Sequence, residues 1–230
     1  MNSSVIRNKN SAEAGFTLVE IAIVLVIIGL LLGGILKGQE MITQAKIKNI
    51  INDFNGVTVA VTSYQDRYRA LPGDDISANT RWSVQGPAKG DGNGLILGKY
   101  NATVTAAPTN LQESNLFWQH LRIAGFVAGA TTGPASGTAP PNAAGGIIGV
   151  ESGLPGTRGM GFSSLILCFS NLPEKIASAV DGQMDDGVPN SGQVRGQLGG
   201  SNPDTAVDAS GSPTAYVETG VNQYLLCKNY

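Results

Sequence analysis

The chain has 230 residues, 42% of them hydrophobic, and sets 15 Lys and Arg against 17 Asp and Glu for a formal net charge of −2. That length holds one membrane helix plus one globular domain with a sizeable core. The near-neutral balance offers no basic patch or stripe of the kind a nucleic-acid binder presents, so nucleic acid is not indicated as a partner.

Met1 to Gly15 form a short polar segment with Arg7 and Lys9. It is not a secretory signal peptide, in which the apolar stretch lies before the cut and is removed. Its positive charge favours a cytoplasmic N-terminus, with everything after Leu36 outside the inner membrane. From Phe16 to Leu36 the only charge is Glu20. About 20 apolar residues cross the roughly 30 Å hydrocarbon core as a helix, so this stretch reads as a single membrane span. A carboxylate near its start is costly, up to about 2.5–3.5 kcal/mol at the centre of a spanning helix. It needs a partner or a proton.

Gly15-Phe16-Thr17-Leu18-Val19-Glu20, followed by an unbroken apolar helix, resembles the class III signal of type IV pilins and type II secretion pseudopilins. The resemblance implies that a prepilin peptidase cuts between Gly15 and Phe16 and that Phe16 is then N-methylated. It implies that Glu20 pairs in a filament with the Phe16 amine of a neighbouring subunit. On one helix the same amine lies about a turn from Glu20, so internal pairing is an alternative. A third is an interfacial carboxylate snorkelling at the end of an anchor. The implied partners are other pilin or pseudopilin subunits, the peptidase, an inner-membrane assembly platform and, before assembly, the membrane.

Gly29, Gly33 and Gly34 interrupt the apolar helix. Each weakens helix propensity by about 1 kcal/mol relative to Ala, and small residues let helices approach closely in lipid. There is no Pro before Pro72, so any break in the helix rests on glycine. Between Gln39 and Tyr68 the apolar residues Ile42, Ala45, Ile50, Phe54, Val57, Val61, Tyr64 and Tyr68 fall mostly three or four apart, opposite Lys46, Lys48, Asn52, Asn55 and Gln65. That is the stripe of an amphipathic helix, ended by Leu71-Pro72-Gly73-Asp74. The expected organisation is a leader over 1–15, a transmembrane or filament-core helix over 16–36, an amphipathic continuation over 37–69, and an extracytoplasmic globular domain over 70–230.

Within that domain, 75–109 reads as loop, with Gly90-Asp91-Gly92-Asn93-Gly94 a strong turn signal. Asp91 and Asn93, with Asp74 or Asp75, are candidate calcium ligands. The twelfth position from Asp91 is Ala102, so this is not an EF-hand. Residues 111–127 return to helical spacing, with Thr109 or Asn110 as cap and Glu113 in the first turn. His120, the only histidine, reads as a partly buried packing residue, and Trp118 as core or subunit contact. Residues 128–155 read as a Gly/Pro-rich loop and Gly159 to Phe169 as a strand. Pro173 opens a short helix to about Val180. Asp181-Gly182-Gln183-Met184-Asp185-Asp186-Gly187 reads as a turn, its Asp181, Asp185 and Asp186 forming a second calcium candidate. Gly192 to Gln197 reads as a strand, Gly199 to Thr214 as loop, and Tyr224 to Lys228 as a strand. Cys168 and Cys227, in the exported part, are expected to form a disulfide.

The fold class is therefore α+β and pilin-like: a long N-terminal helix with a small antiparallel sheet domain. There is no Ser-His-Asp set, zinc-ligand spacing, P-loop or dinucleotide fingerprint, so no enzyme is indicated. The expected role is a structural subunit of a type IV pilus or pilus-like filament. A type II secretion pseudopilin and a membrane-anchored domain that does not polymerise are the alternatives. No cofactor is expected, calcium being the one candidate.

Overall fold

A computed structural model describes residues 15, 17–104, 112–154, 156–199, 207 and 213–230. Residues 1–14 of the leader, Phe16 and the candidate caps Thr109 and Asn110 lie outside the described residues. The chain divides into two compact units, Met1–Thr43 and Gln44–Tyr230. One helix, α1 (Leu18–Tyr68), runs from the first into the second.

In the first unit, α1 exposes its apolar side chains, among them Leu18, Val24, Leu30 and Leu36. Leu18 to Leu36 rises about 28 Å at 1.5 Å per residue, close to the thickness of a bilayer core. By length and composition this helix is able to cross a membrane.

In the second unit, α1 buries Ile47, Ile50, Phe54, Val57, Ala60, Val61 and Tyr64. The expected stripe thus begins at Ile47, while Ile42 and Ala45 are exposed. After Tyr68 the chain leaves the helix with Arg69 in the left-handed region (φ 55°), and Pro72 prevents a further turn. Gly73 follows with φ 93°, where a Cβ would stand 2.6 Å from the Glu113 carbonyl oxygen. Only glycine allows that approach.

The sheet contains β1 (Ile148–Ser152), β2 (Leu165–Pro173), β3 (Val194–Leu198) and β4 (Gln223–Asn229) in the order β1-β2-β4-β3. Every neighbouring pair is antiparallel. Successive side chains point to opposite faces, and here both faces are covered. Leu167, Phe169, Tyr224 and Leu226 join α1, α3 (Glu113–Ile123) and α4 (Glu174–Met184) in the larger core. There Phe54 stacks on Phe169 with ring centroids 3.9 Å apart. Ile166, Cys168, Leu225 and Cys227 face a smaller cluster with Tyr100, Met160, Phe162 and Val207. The α+β architecture of a long helix with a small antiparallel sheet stands.

Several local expectations are corrected. Strand β1 lies within 128–155, which reads as loop; its Gly149 has no room for a Cβ because the Tyr100 backbone packs on it, and glycine hides a strand signal. Within 75–109 there is a helical turn, α2 (Ala78–Arg81). Helix α3 starts at Glu113, preceded by Gln112, and is shorter than 111–127. Strand β2 begins at Leu165 and continues past Phe169 through an irregularity that ends at Leu172, with Asn171 at φ 58°. Helix α4 runs on to Met184, so Asp181 is helical rather than part of a turn.

Candidate functional site

At the start of α1 the sequence Thr17-Leu18-Val19-Glu20 folds into a capping box. Glu20 Oε2 accepts the Thr17 backbone N–H at 2.8 Å and the Thr17 hydroxyl at 2.9 Å. The Thr17 hydroxyl oxygen accepts the Glu20 N–H at 3.3 Å. The carboxylate thereby meets orphan donors that a helix start leaves in any solvent. Sequence reasoning sought an amine for Glu20 and missed Thr17, although the Thr-x-x-Glu spacing carried that signal. In the uncut chain the Phe16 nitrogen is part of a peptide bond, so no amine competes. Gly15 is exposed and a Cβ there would meet nothing within 4 Å. Among the described residues nothing requires glycine at this position.

The first acidic cluster brings together Asp74, Asp91 and Glu113, with one carboxylate oxygen from each within 4.8 Å of the others. Asp74 accepts the N–H groups of Gly92 (2.5 Å), Asn93 (3.2 Å) and Gly94 (2.7 Å). Glu113 accepts those of Asp91 (3.2 Å) and Leu97 (2.8 Å). Asn93 donates to Asp91 through its backbone and its side chain. Burial holds the Asp74 and Glu113 carboxyls above the ordinary carboxylate range, against the pull of those donors. Glu113 is the member of this cluster that the sequence did not reveal, because it comes from α3. Asp75 belongs elsewhere: it accepts the Tyr64 hydroxyl at 2.7 Å and pairs with Arg81. Burial pushes Asp75 up, but Arg81, Tyr64 and the Ser77 N–H outweigh it and hold the carboxyl low.

The second cluster is Asp181, Asp185 and Asp186. Asp185 accepts the N–H groups of Gln193 (2.5 Å) and Val194 (3.1 Å). Asp186 accepts the Val188 N–H at 2.8 Å and the Ser191 hydroxyl at 2.6 Å. Asp181 accepts the Tyr216 hydroxyl at 2.6 Å. Asp185 and Asp186 tie the chain between α4 and β3, which is what short acidic side chains do in turns, while Asp181 reaches Tyr216 from within α4.

His120 is fully buried rather than partly so. Its Nδ1 accepts the Gly73 N–H at 3.0 Å and its Nε2 lies 2.9 Å from the Ala88 carbonyl oxygen. Those partners assign the neutral ring with its proton on Nε2. Burial lowers its affinity for a second proton. A folded-state value below the unfolded one of about 6.5 means that its contribution is whole above that pH and declines as pH falls below it. Wild type is therefore expected to lose more stability than His120→Gln between about pH 7 and pH 5 in urea melts. Carboxyls held high, such as Glu113, act in the opposite direction and cancel in that difference. Equal slopes would remove His120 from the account. Trp118 is 1% exposed and belongs to the core.

Cys168 and Cys227 form a disulfide between directly opposed positions of β2 and β4.

No curated protein matches the chain. Residues 10–36 match the family described as the prokaryotic N-terminal methylation motif. The segment that holds Gly15, Thr17 and Glu20 thus carries the prepilin-type signal that marks precursors of type IV pilins and pseudopilins.

Proposed function

We propose that the chain is a structural subunit of a type IV pilus or pilus-like filament. The observation that carries this reading is the methylation motif, set on an exposed apolar run over 18–36 whose single carboxylate, Glu20, sits in the first turn of α1. A leader over 1–15 stays in the cytoplasm while residues 16–36 span the inner membrane. A prepilin peptidase cuts after Gly15 and Phe16 is methylated. An assembly platform then draws the helix out of the bilayer, and residues 16–36 exchange lipid for neighbouring helices. Residues 37–69 carry the extracytoplasmic domain over 70–230. Glu20 leaves its Thr17 cap to pair with a new Phe16 amine. This is work by assembly and not by catalysis.

Mass spectrometry of the N-terminal peptide tests the reading. A peptide that starts at Phe16 with one added methyl, in material sheared from the cell surface, is the expected result. The same peptide confined to membranes would favour a secretion pseudopilin. An intact leader in both fractions would leave an anchored domain that does not polymerise. Gly15→Val is expected to slow cleavage several-fold, since the fold places no limit at this position and the peptidase does. An unchanged mature mass at an unchanged rate would move the site.

Both acidic clusters already spend carboxylate oxygens on backbone N–H groups. The melting temperature of the full chain is accordingly expected to be the same in calcium and in a chelator. A rise of several degrees with calcium would assign an ion to Asp91 and Asn93 or to Asp185 and Asp186.

A further inference from the structure

The second unit carries a groove of about 310 Å³, lined by Asp53 and Val57 of α1, Trp118 of α3, and Phe126, Pro140 and Pro141. Asp53 is the only ionisable residue in its lining. It is half-buried, and among the described residues it has neither a hydrogen-bond donor nor a cation. Trp118 lines the same groove, and its indole N–H is buried without an acceptor. The other carboxylates placed above all have donors. A half-buried carboxylate with no donor or cation beside it is a charge that a cation brought into the groove would complement. One anion, with Asn52 beside it and Val57, Phe126, Pro140 and Pro141 along the walls, suits an ammonium on a methylene stem, the stem on the apolar side chains and the head on the charge.

We propose that this groove receives a lysine side chain from a second copy of the chain, its ammonium on Asp53 and its methylenes along Val57, Phe126 and the two prolines. The proposal rests on the assembly reading above, in which neighbouring copies lie alongside α1. The same chain supplies the cation: among the described residues Lys46, Lys48, Lys89, Lys175 and Lys228 have no hydrogen-bond or ion-pair partner.

A carbodiimide joins a carboxylate to an amine only when the two are in contact, and it adds no spacer. Treated on sheared filaments and membranes, wild type should give a dimer band. Its tryptic peptides should include Asp53 joined to a lysine of the same sequence. Asp53→Asn should lose that peptide and assemble about two- to three-fold less, and Asp53→Lys at least five-fold less. The melting temperature of the full-length Asp53→Asn chain in detergent should be equal to or above that of wild type, because an unpaired charge is removed. A lower melting temperature with unchanged assembly would make Asp53 a structural residue and overturn the proposal. Dimer bands without Asp53, with Asp53→Asn assembling normally, would overturn it while leaving the assembly reading intact. Asp53 joined to a different protein would refute the choice of partner. Sheared wild-type filaments with no dimer band would overturn the proposal and leave the assembly reading intact, whereas an absence of filaments would remove that reading.

Discussion

Replacing Cys168 and Cys227 together by alanine is expected to lower the free energy of unfolding by about 4 kcal/mol. The bridge spans a sequence separation of 59 residues, and the chain-entropy model gives that magnitude for a loop of this length. Most of the effect acts on the unfolded chain, because β2 and β4 already hold the two positions opposite each other in the ladder. Both residues are fully buried in the smaller core cluster with Met160, Phe162 and Leu225. A reductant should therefore have little effect on the native protein and act only as it unfolds. Against a typical total of about 5–15 kcal/mol, the loss takes a large share of the stability. Denaturant melts of the full chain in detergent, with and without reductant, measure it. A loss below about 1 kcal/mol would mean that the unfolded chain stays compact without the bridge.

Glu20→Ala is expected to reduce filament yield at least ten-fold while leaving removal of the leader near the wild-type rate. The variant loses a charge and a cap together. Before cleavage, Glu20 satisfies the Thr17 backbone N–H and hydroxyl. Cleavage after Gly15 would create a positive amine about one turn away, and in lipid an amine and a carboxylate each need the other. Glu20→Gln separates the two roles, since an amide oxygen still caps but carries no charge. Failure of both variants assigns assembly to the charge. Wild-type yield from Glu20→Gln with loss in Glu20→Ala assigns it to the cap. Normal yield from Glu20→Ala would remove Glu20 from assembly altogether. Counting sheared filaments and weighing the mature subunit gives both readouts from one culture.

Composition and periodicity alone determined the helix of residues 18–68, because its signals are local: a long apolar run, a stripe three or four apart, and a proline at its exit. Gly15 and Glu20 were singled out by the resemblance of their segment to a prepilin-type signal, and the two cysteines have one pairing available. The Asp185 and Asp186 turn was legible too, since aspartates bond to nearby backbone. What the tertiary structure decided are contacts between segments distant in sequence. Glu113 joins Asp74 and Asp91 because α3 returns to the exit of α1, where Gly73 admits it. Strand β1 went unread because its pairing with β2 and cover by the 96–100 segment stand in for a strong strand pattern. Asp53 looks like one more polar residue on an amphipathic helix. Only the packing of Trp118, Phe126 and the two prolines around it turns it into an unpaired charge in a groove. Periodicity reports which face of an element is buried; it carries no information on which distant residue will be buried against it.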